Sequence, residues 1–371
     1  MERRAGIHDW LISPRDRCLQ QRTQRRLRAL GALGIVVLMT PLAASAHHSI
    51  FGRFDGEGSA EIEGKLVSVA WSNPHVTFKV AVTPSDGGAA EIWDVETTSL
   101  SNLRKFEIAP DFMQVGDSIR IGGLPSSRGR NEIFAHNVLL PSGEEVLLGA
   151  SVRPRWSEQT VAASARVGAT TGDGSRPELG IFRVWSSAGS PMLLPETVNV
   201  GFDLMSYPLT DAARAAVRSF DRLADSPIAN CTPKGMPAIM EQPYPMEFVD
   251  RGDEILLRLE EYDTERRIRL GRQADAVAPP SRLGNSIGHW EDSTLVVTTT
   301  GVNWRHFDTV GIPLSDAAVI VERFTLAEDG GRLDYRMTVT DPSVFTQPVV
   351  LEKFWVFLPE VTVEPYECRV E

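Results

Sequence analysis

The sequence predicts a mainly β chain, with a small OB-like barrel followed by a larger antiparallel β-barrel or curved-sheet domain. Three observations carry this. Short runs of alternating β-branched and aromatic residues recur through both halves, while only two stretches have a helix-forming character. A region rich in Ala, Gly, Ser and Thr, including Ala162-Ala163-Ser164-Ala165 and Gly168-Ala169-Thr170-Thr171-Gly172, interrupts the apolar rhythm. In the first half, three strands, one short helix and two more strands follow one another in about a hundred residues, which is the order of an OB-type barrel.

In order, residues 62–71, 76–82 and 92–95 read as β segments, and Ser99-Leu100-Ser101-Asn102-Leu103 as a capped short helix. Residues 118–121 and 134–140 complete the first domain, set at 47–150. A connector is expected over 151–177 and a second domain over 178–371. There, residues 254–260, 294–300, 318–326, 333–340 and 349–357 have the spacing of an antiparallel meander. Turn signals such as Asp329-Gly330-Gly331 separate them. A helix is predicted over 210–224, where Ala, Arg and Leu are strong helix formers and Asp211 sits in the first turn. A curled sheet of this kind can enclose a pocket.

Ahead of the first domain, Arg22, Arg25, Arg26 and Arg28 lead into an apolar run over 29–43 and then Ala44-Ser45-Ala46. This is the pattern of an export signal cut after Ala46. The run is short for a membrane span, which needs about 20 residues, so no span is expected after removal of residues 1–46. Arg25-Arg26 invites a twin-arginine reading although its flanks match poorly, and a start placed too early would explain the long leader equally well. The expected location is the periplasm or the medium.

Residues 1–46 carry eight arginines and three acidic residues, so the chain's 38 basic and 49 acidic residues fall to 30 and 46, a formal charge of −16. Such a balance argues against nucleic acid and anionic membranes as partners. Cys18 goes with the leader, leaving Cys231 and Cys368, an even pair that predicts one disulfide in an oxidising compartment. No phosphate loop, dinucleotide fingerprint or nucleophile elbow occurs, so no nucleotide cofactor is expected.

Cleavage after Ala46 would make His47 the first residue, offering a metal both its amine and its imidazole, with His48 behind it. His75 and His136 complete the histidines of the first domain. Imidazole suits copper, which binds most tightly in the divalent series, so a copper site built from His47, His48, His75 and His136 is the leading metal expectation. The competing account is a frayed terminus with two idle histidines.

A resemblance bears on this half. Ala46-His47-His48-Ser49, Phe54-Asp55, Glu63-Gly64-Lys65-Leu66 and Trp71-Ser72-Asn73-Pro74-His75 are similar to an exported bacterial family of unknown function. In that family Ala-His-His-Ser follows the signal and a Trp-x-Asn-Pro-His motif follows the first strand. The similarity covers about residues 46–150 and implies a mature start at the histidine doublet, but no reaction. The second half resembles another group of uncharacterised exported β-rich domains, through Pro243-Tyr244-Pro245-Met246-Glu247-Phe248 and Leu283-Gly284-Asn285-Ser286-Ile287-Gly288-His289-Trp290-Glu291.

In that half the charges cluster within otherwise apolar strands. Glu260, Glu261, Asp263, Glu322, Arg323 and His306 are the candidates for acid, base and anion-clamp roles, with Arg266, Arg267 and Arg269 nearby in sequence. Alternation alone would send half of them to solvent as surface pairs. Three functional readings follow in order: a periplasmic binding protein with copper or a small molecule as ligand, an enzyme acting on a small apolar or aromatic molecule in the second barrel, and an envelope interaction protein.

Overall fold

Strand β1 (Ala60–Ala70) is long enough to serve two neighbours, and this closes the first barrel. Its N-terminal half pairs with β4 (Ser118–Pro125), and its C-terminal half pairs with β2 (Thr77–Val82) across a bulge between Leu66 and Ser68. Such a bulge bends and twists the strand, as closure requires. Next come β3 (Glu91–Glu96), antiparallel to β2, and β5 (Glu132–Leu139), which pairs parallel with β3 and antiparallel with β4. The circuit β1-β2-β3-β5-β4 is a closed five-stranded OB-like barrel.

Alternation decides what faces inward: Phe78, Val80, Val95, Ile119, Ile121, Ile133 and Val138 fill the interior. Helix α1 (Leu100–Lys105) seals one end with the fully buried Leu103, and the Ser99 side chain accepts from the Asn102 N–H as its cap. Strand β6 (Glu145–Leu147) continues the sheet from β5, and β7 (Thr160–Val161) pairs parallel with β6. The buried Glu145 carboxylate accepts the N–H groups of Arg155, Trp156 and Ser157, so the start of the 151–177 stretch is strapped to this sheet.

The computed structural model describes residues 53–54, 58–149, 152–161, 171–187, 194–195, 207–221, 224–271 and 279–368. His47, His48 and the export signal expected over 1–46 lie outside them. Ser45–Glu371 clusters as one compact unit. Among the described residues, no helix is long and apolar enough to cross a membrane.

The second sheet begins with β8 (Val184–Trp185). It continues through β10 (Met246–Asp250), β11 (Glu254–Leu259), β12 (Thr264–Leu270), β13 (Asn285–Glu291), β14 (Thr294–Thr300), β15 (Val319–Leu326), β16 (Arg332–Thr340) and β17 (Val349–Val356). Ser186, just past β8, exchanges two backbone hydrogen bonds with Val356 of β17, so these nine strands form a nearly closed barrel. The two-residue β9 (Leu194–Pro195) pairs with β17. All neighbours are antiparallel except β12 and β13. Trp185, Phe248, Phe324, Tyr335 and Trp355 fill the interior, with Phe324 and Tyr335 ring centroids 4.7 Å apart.

Several elements differ from expectation, among them β6, β8, β10 and β13, which no predicted segment covered. The helix predicted over 210–224 is α2 (Asp211–Ser219), capped by Thr210, and ends because Phe220 already has extended backbone angles. Strand β12 was hidden in the sequence because Arg266 occupies one of its inward positions.

Gly123, at the second bulge of the first barrel, has no room for a side chain: an added Cβ would lie 1.9 Å from the Phe134 carbonyl oxygen. Gly123→Ala is expected to cost about 1–3 kcal/mol or more through overpacking, seen as a lower urea midpoint. An unchanged midpoint would contradict this closure geometry.

Candidate functional site

The outer face of β3 and β5 gathers the polar side chains of the first barrel. Ile133 and Ala135 face its core, so Glu132, Phe134 and His136 share the opposite face. The parallel register sets Asp94 beside Glu132 and Glu96 beside Phe134. Arg53 ties the row together, donating from Nη1 to Glu96 Oε2 at 3.1 Å and from Nη2 and Nε to the two Glu132 oxygens at 3.2 and 3.3 Å. Burial alone would raise the Glu132 pKa, but the hydrogen bonds and charge of Arg53 outweigh it and hold the carboxyl below its ordinary value. A cavity of about 440 Å³ opens beside this cluster, lined by Arg53, Lys79, Asp94, Glu96, Arg130 and Glu132 among others.

His75 stands at the edge of the same cluster. Its Nδ1 lies 3.0 Å from the Thr97 carbonyl oxygen, which can only accept, so Nδ1 carries the hydrogen. Nε2 is left facing Glu96 Oε1 at 3.6 Å. The Phe134 ring packs edge-on against both His75 and His136, at 6.3 and 5.7 Å between centroids. His136 is half-buried, and burial, then the Arg155 charge, lowers its pKa. Among the described residues no group of three or more His, Cys, Asp or Glu is arranged to hold a metal.

The candidates of the second barrel occupy several environments. Glu260, Glu261 and Asp263 share one turn after β11. Glu260 accepts from Asn73 and Ser101 of the first barrel, Glu261 pairs with Lys234 at 2.9 Å, and Asp263 accepts the Tyr366 N–H at 3.1 Å. Glu322 lies inside the barrel, where Arg266 Nη1 donates to its Oε1 at 2.9 Å and the Tyr335 hydroxyl donates to the same oxygen at 2.8 Å. Arg266 Nη2 also donates to Glu322 Oε2, and Ser286, Thr299 and Met240 Sδ accept from the guanidinium as well. The neighbouring Arg323 points outward to Glu291 at 2.7 Å. His306 is half-buried against Trp304. Asp308 Oδ1 accepts three backbone N–H groups, and burial pushes its pKa up to about 6.

Two buried lysines escaped the sequence reading. Lys105 Nζ donates to Asn102 Oδ1, Ser187 Oγ and the Pro243 carbonyl, and Lys353 Nζ donates to the Gln242 carbonyl at 2.9 Å. Burial pushes their pKa values down to about 8 and about 7. Between them they hold the Pro-rich loop that carries Met240. Arg53, Glu96 and Glu132 escaped as well, because nothing in their local sequence separates them from ordinary strand-end charges.

With this geometry in place, the comparisons with known proteins locate the similarity. Residues 35–134 match a family of unknown function (DUF6152). The match includes the Trp-x-Asn-Pro-His loop, β1 to β4 and the Glu96–Glu132 cluster. No curated protein matches the chain.

The interior pair is fully hydrogen-bonded and acts as structure. Removing one partner would strand the other charge, so Glu322→Ala is expected to lose about 3–5 kcal/mol. Replacing Arg266 and Glu322 together by Met and Leu should recover most of that in denaturant titrations. A double variant no more stable than Glu322→Ala would contradict this account.

Proposed function

We propose that the chain is an exported binding protein that takes a copper ion at the outer face of the first barrel. His47 would supply its amine and imidazole, and His75 Nε2 a third nitrogen. The observation that carries this reading is the orientation of His75: Nδ1 is committed to Thr97, and Nε2 faces the Glu96 carboxylate. A hydrogen-bond acceptor on one imidazole nitrogen fixes the tautomer that leaves the other as ligand. Glu96 is shared with Arg53 and so acts as an orienting charge beside the ion.

Chain length is compatible with this arrangement. His47 and His48 lie outside the described residues, but His47 is only six positions before Arg53, whose guanidinium rests on Glu96. Six residues reach at most about 20 Å, enough to bring the doublet to His75. The filled interior of the second barrel also favours a ligand on the first. Copper carriage is the simplest activity for such a site, and three nitrogens around copper can also support oxygen chemistry. The expected setting is the periplasm, after cleavage following Ala46.

Protein purified from the periplasm with its native terminus is expected to start at His47 by mass mapping and to carry near-stoichiometric copper by elemental analysis. His47→Ala and His75→Ala should each weaken copper binding at least tenfold. Affinity should fall as the pH drops below about 6.5, because amine and imidazole ligate only when unprotonated. A native-terminus protein that binds no copper tighter than micromolar would refute the site.

A further inference from the structure

Asn73, the central residue of the Trp-Ser-Asn-Pro-His motif, turns its side chain to the second barrel. It is almost fully buried, and its Nδ2 donates to Glu260 Oε1 at 3.0 Å and lies 3.4 Å from the Pro365 carbonyl oxygen. Its backbone bridges Tyr366 in parallel, and its carbonyl accepts the Glu367 N–H at 3.2 Å. One residue of the first barrel thus meets both a turn of the second and the end of the chain.

Residues 364–367 are gripped from both sides. Glu364 donates its N–H to Glu260 Oε2 at 2.9 Å and pairs through its carboxylate with Arg104 of α1. Tyr366 donates its N–H to Asp263 and packs its ring against Tyr244 and Tyr262 at 5.4 and 5.0 Å. The segment contributes no strand to either barrel. So short a tail, held by a few bonds near a chain end, would ordinarily fray. It is tied instead by the disulfide between Cys368 and Cys231, 137 residues apart. Both cysteines are only partly buried, so a thiol reagent can reach them.

We propose that residues 364–368 are a disulfide-locked latch that clamps the Asn73 loop of the first barrel onto the 260–263 turn of the second, and that reduction of Cys231–Cys368 releases it. The reductant is a dithiol. It gives two electrons and two protons to the bridge, leaves two cysteine thiols, and is itself oxidised to a disulfide. Once open, the tail is held by its hydrogen bonds, the Glu364–Arg104 ion pair and the Tyr366 ring contacts, without a covalent tie. The Asn73 loop then loses the strand-like bridge on one side while Glu260 still holds the other. The latch stands whether or not His75 takes a metal.

Hydrogen exchange on the whole protein, oxidised and then reduced with dithiothreitol, tests this directly. The amides of Glu364, Tyr366 and Glu367 are the reporters, and β16 is the internal standard. On reduction, the 364–367 amides and the 71–76 loop are expected to exchange at least tenfold faster while β16 is unchanged. A variant with both Cys231 and Cys368 replaced by Ala should reproduce that pattern without reductant. Unchanged tail protection on reduction would overturn the latch, because the non-covalent contacts would then suffice. Loss of β16 protection, or a double variant that fails to fold, would overturn it too, because the bridge would then be holding the second barrel itself.

Discussion

Glu260 is a carboxylate with no solvent exposure that accepts hydrogen bonds from three distant parts of the chain: the Asn73 side chain, the Ser101 hydroxyl and the Glu364 N–H. Burying a charge is unfavourable unless its lone pairs are taken up. Burial pushes its pKa up to about 7, against the downward pull of the Glu364 N–H, Ser101 and the Lys105 charge. Those partners come from β1–β2, from α1 and from the C-terminal tail. Docking of the two barrels is therefore a condition for burying this residue, and burying this residue fixes how they dock. Lys105 repeats the logic with the opposite sign, an ammonium from the first barrel satisfied by Ser187 and the Pro243 carbonyl of the second.

The two barrels solve interior packing differently. The first is small enough that β-branched residues, Leu and one or two aromatic rings fill it, and its polar groups are sent to the outer face. The second has a wider circumference, and large rings alone do not fill it. The Arg266–Glu322 pair, with Tyr335, Ser286 and Thr299, occupies part of the space as a closed hydrogen-bond network. Such a network is permissible in a low-dielectric interior because each member has a partner. This is why a charge in the middle of β15, which in sequence resembles catalytic equipment, here belongs to the core.

Those same charges decide what was legible in advance. The order of strands and helix in the first barrel followed from alternation at Phe78, Val80, Ile119 and Ile121 and from the Ser99 cap, all local signals. The disulfide followed from setting Cys18 aside with the expected export signal, which leaves Cys231 and Cys368 as an even pair. Strand β12 did not, because Arg266 at an inward position breaks the pattern that marks a buried face. Closure of the first barrel through the parallel β3–β5 pair, and the gathering of Arg53, Glu96 and Glu132, depend on residues up to 79 positions apart. No window of sequence contains such a contact. Glu260, Glu261 and Asp263 were recognisable as a cluster, but their partners Asn73, Ser101 and Tyr366 were not.

The Trp-Ser-Asn-Pro-His loop shows how one short motif can be fixed by three separate demands. Trp71 packs its ring edge-on against Phe112 at 5.5 Å, a contact that asks for a large flat apolar group. Asn73 must give hydrogens to an acidic oxygen and lend its backbone to the tail, which asks for a short neutral donor. His75 must donate from one nitrogen to Thr97 and present the other to Glu96, which only an imidazole can do at that distance. The second barrel holds the loop at Asn73, two residues before His75. The residue that meets the second barrel and the nitrogen that faces the acidic cluster thus belong to one short turn, two positions apart.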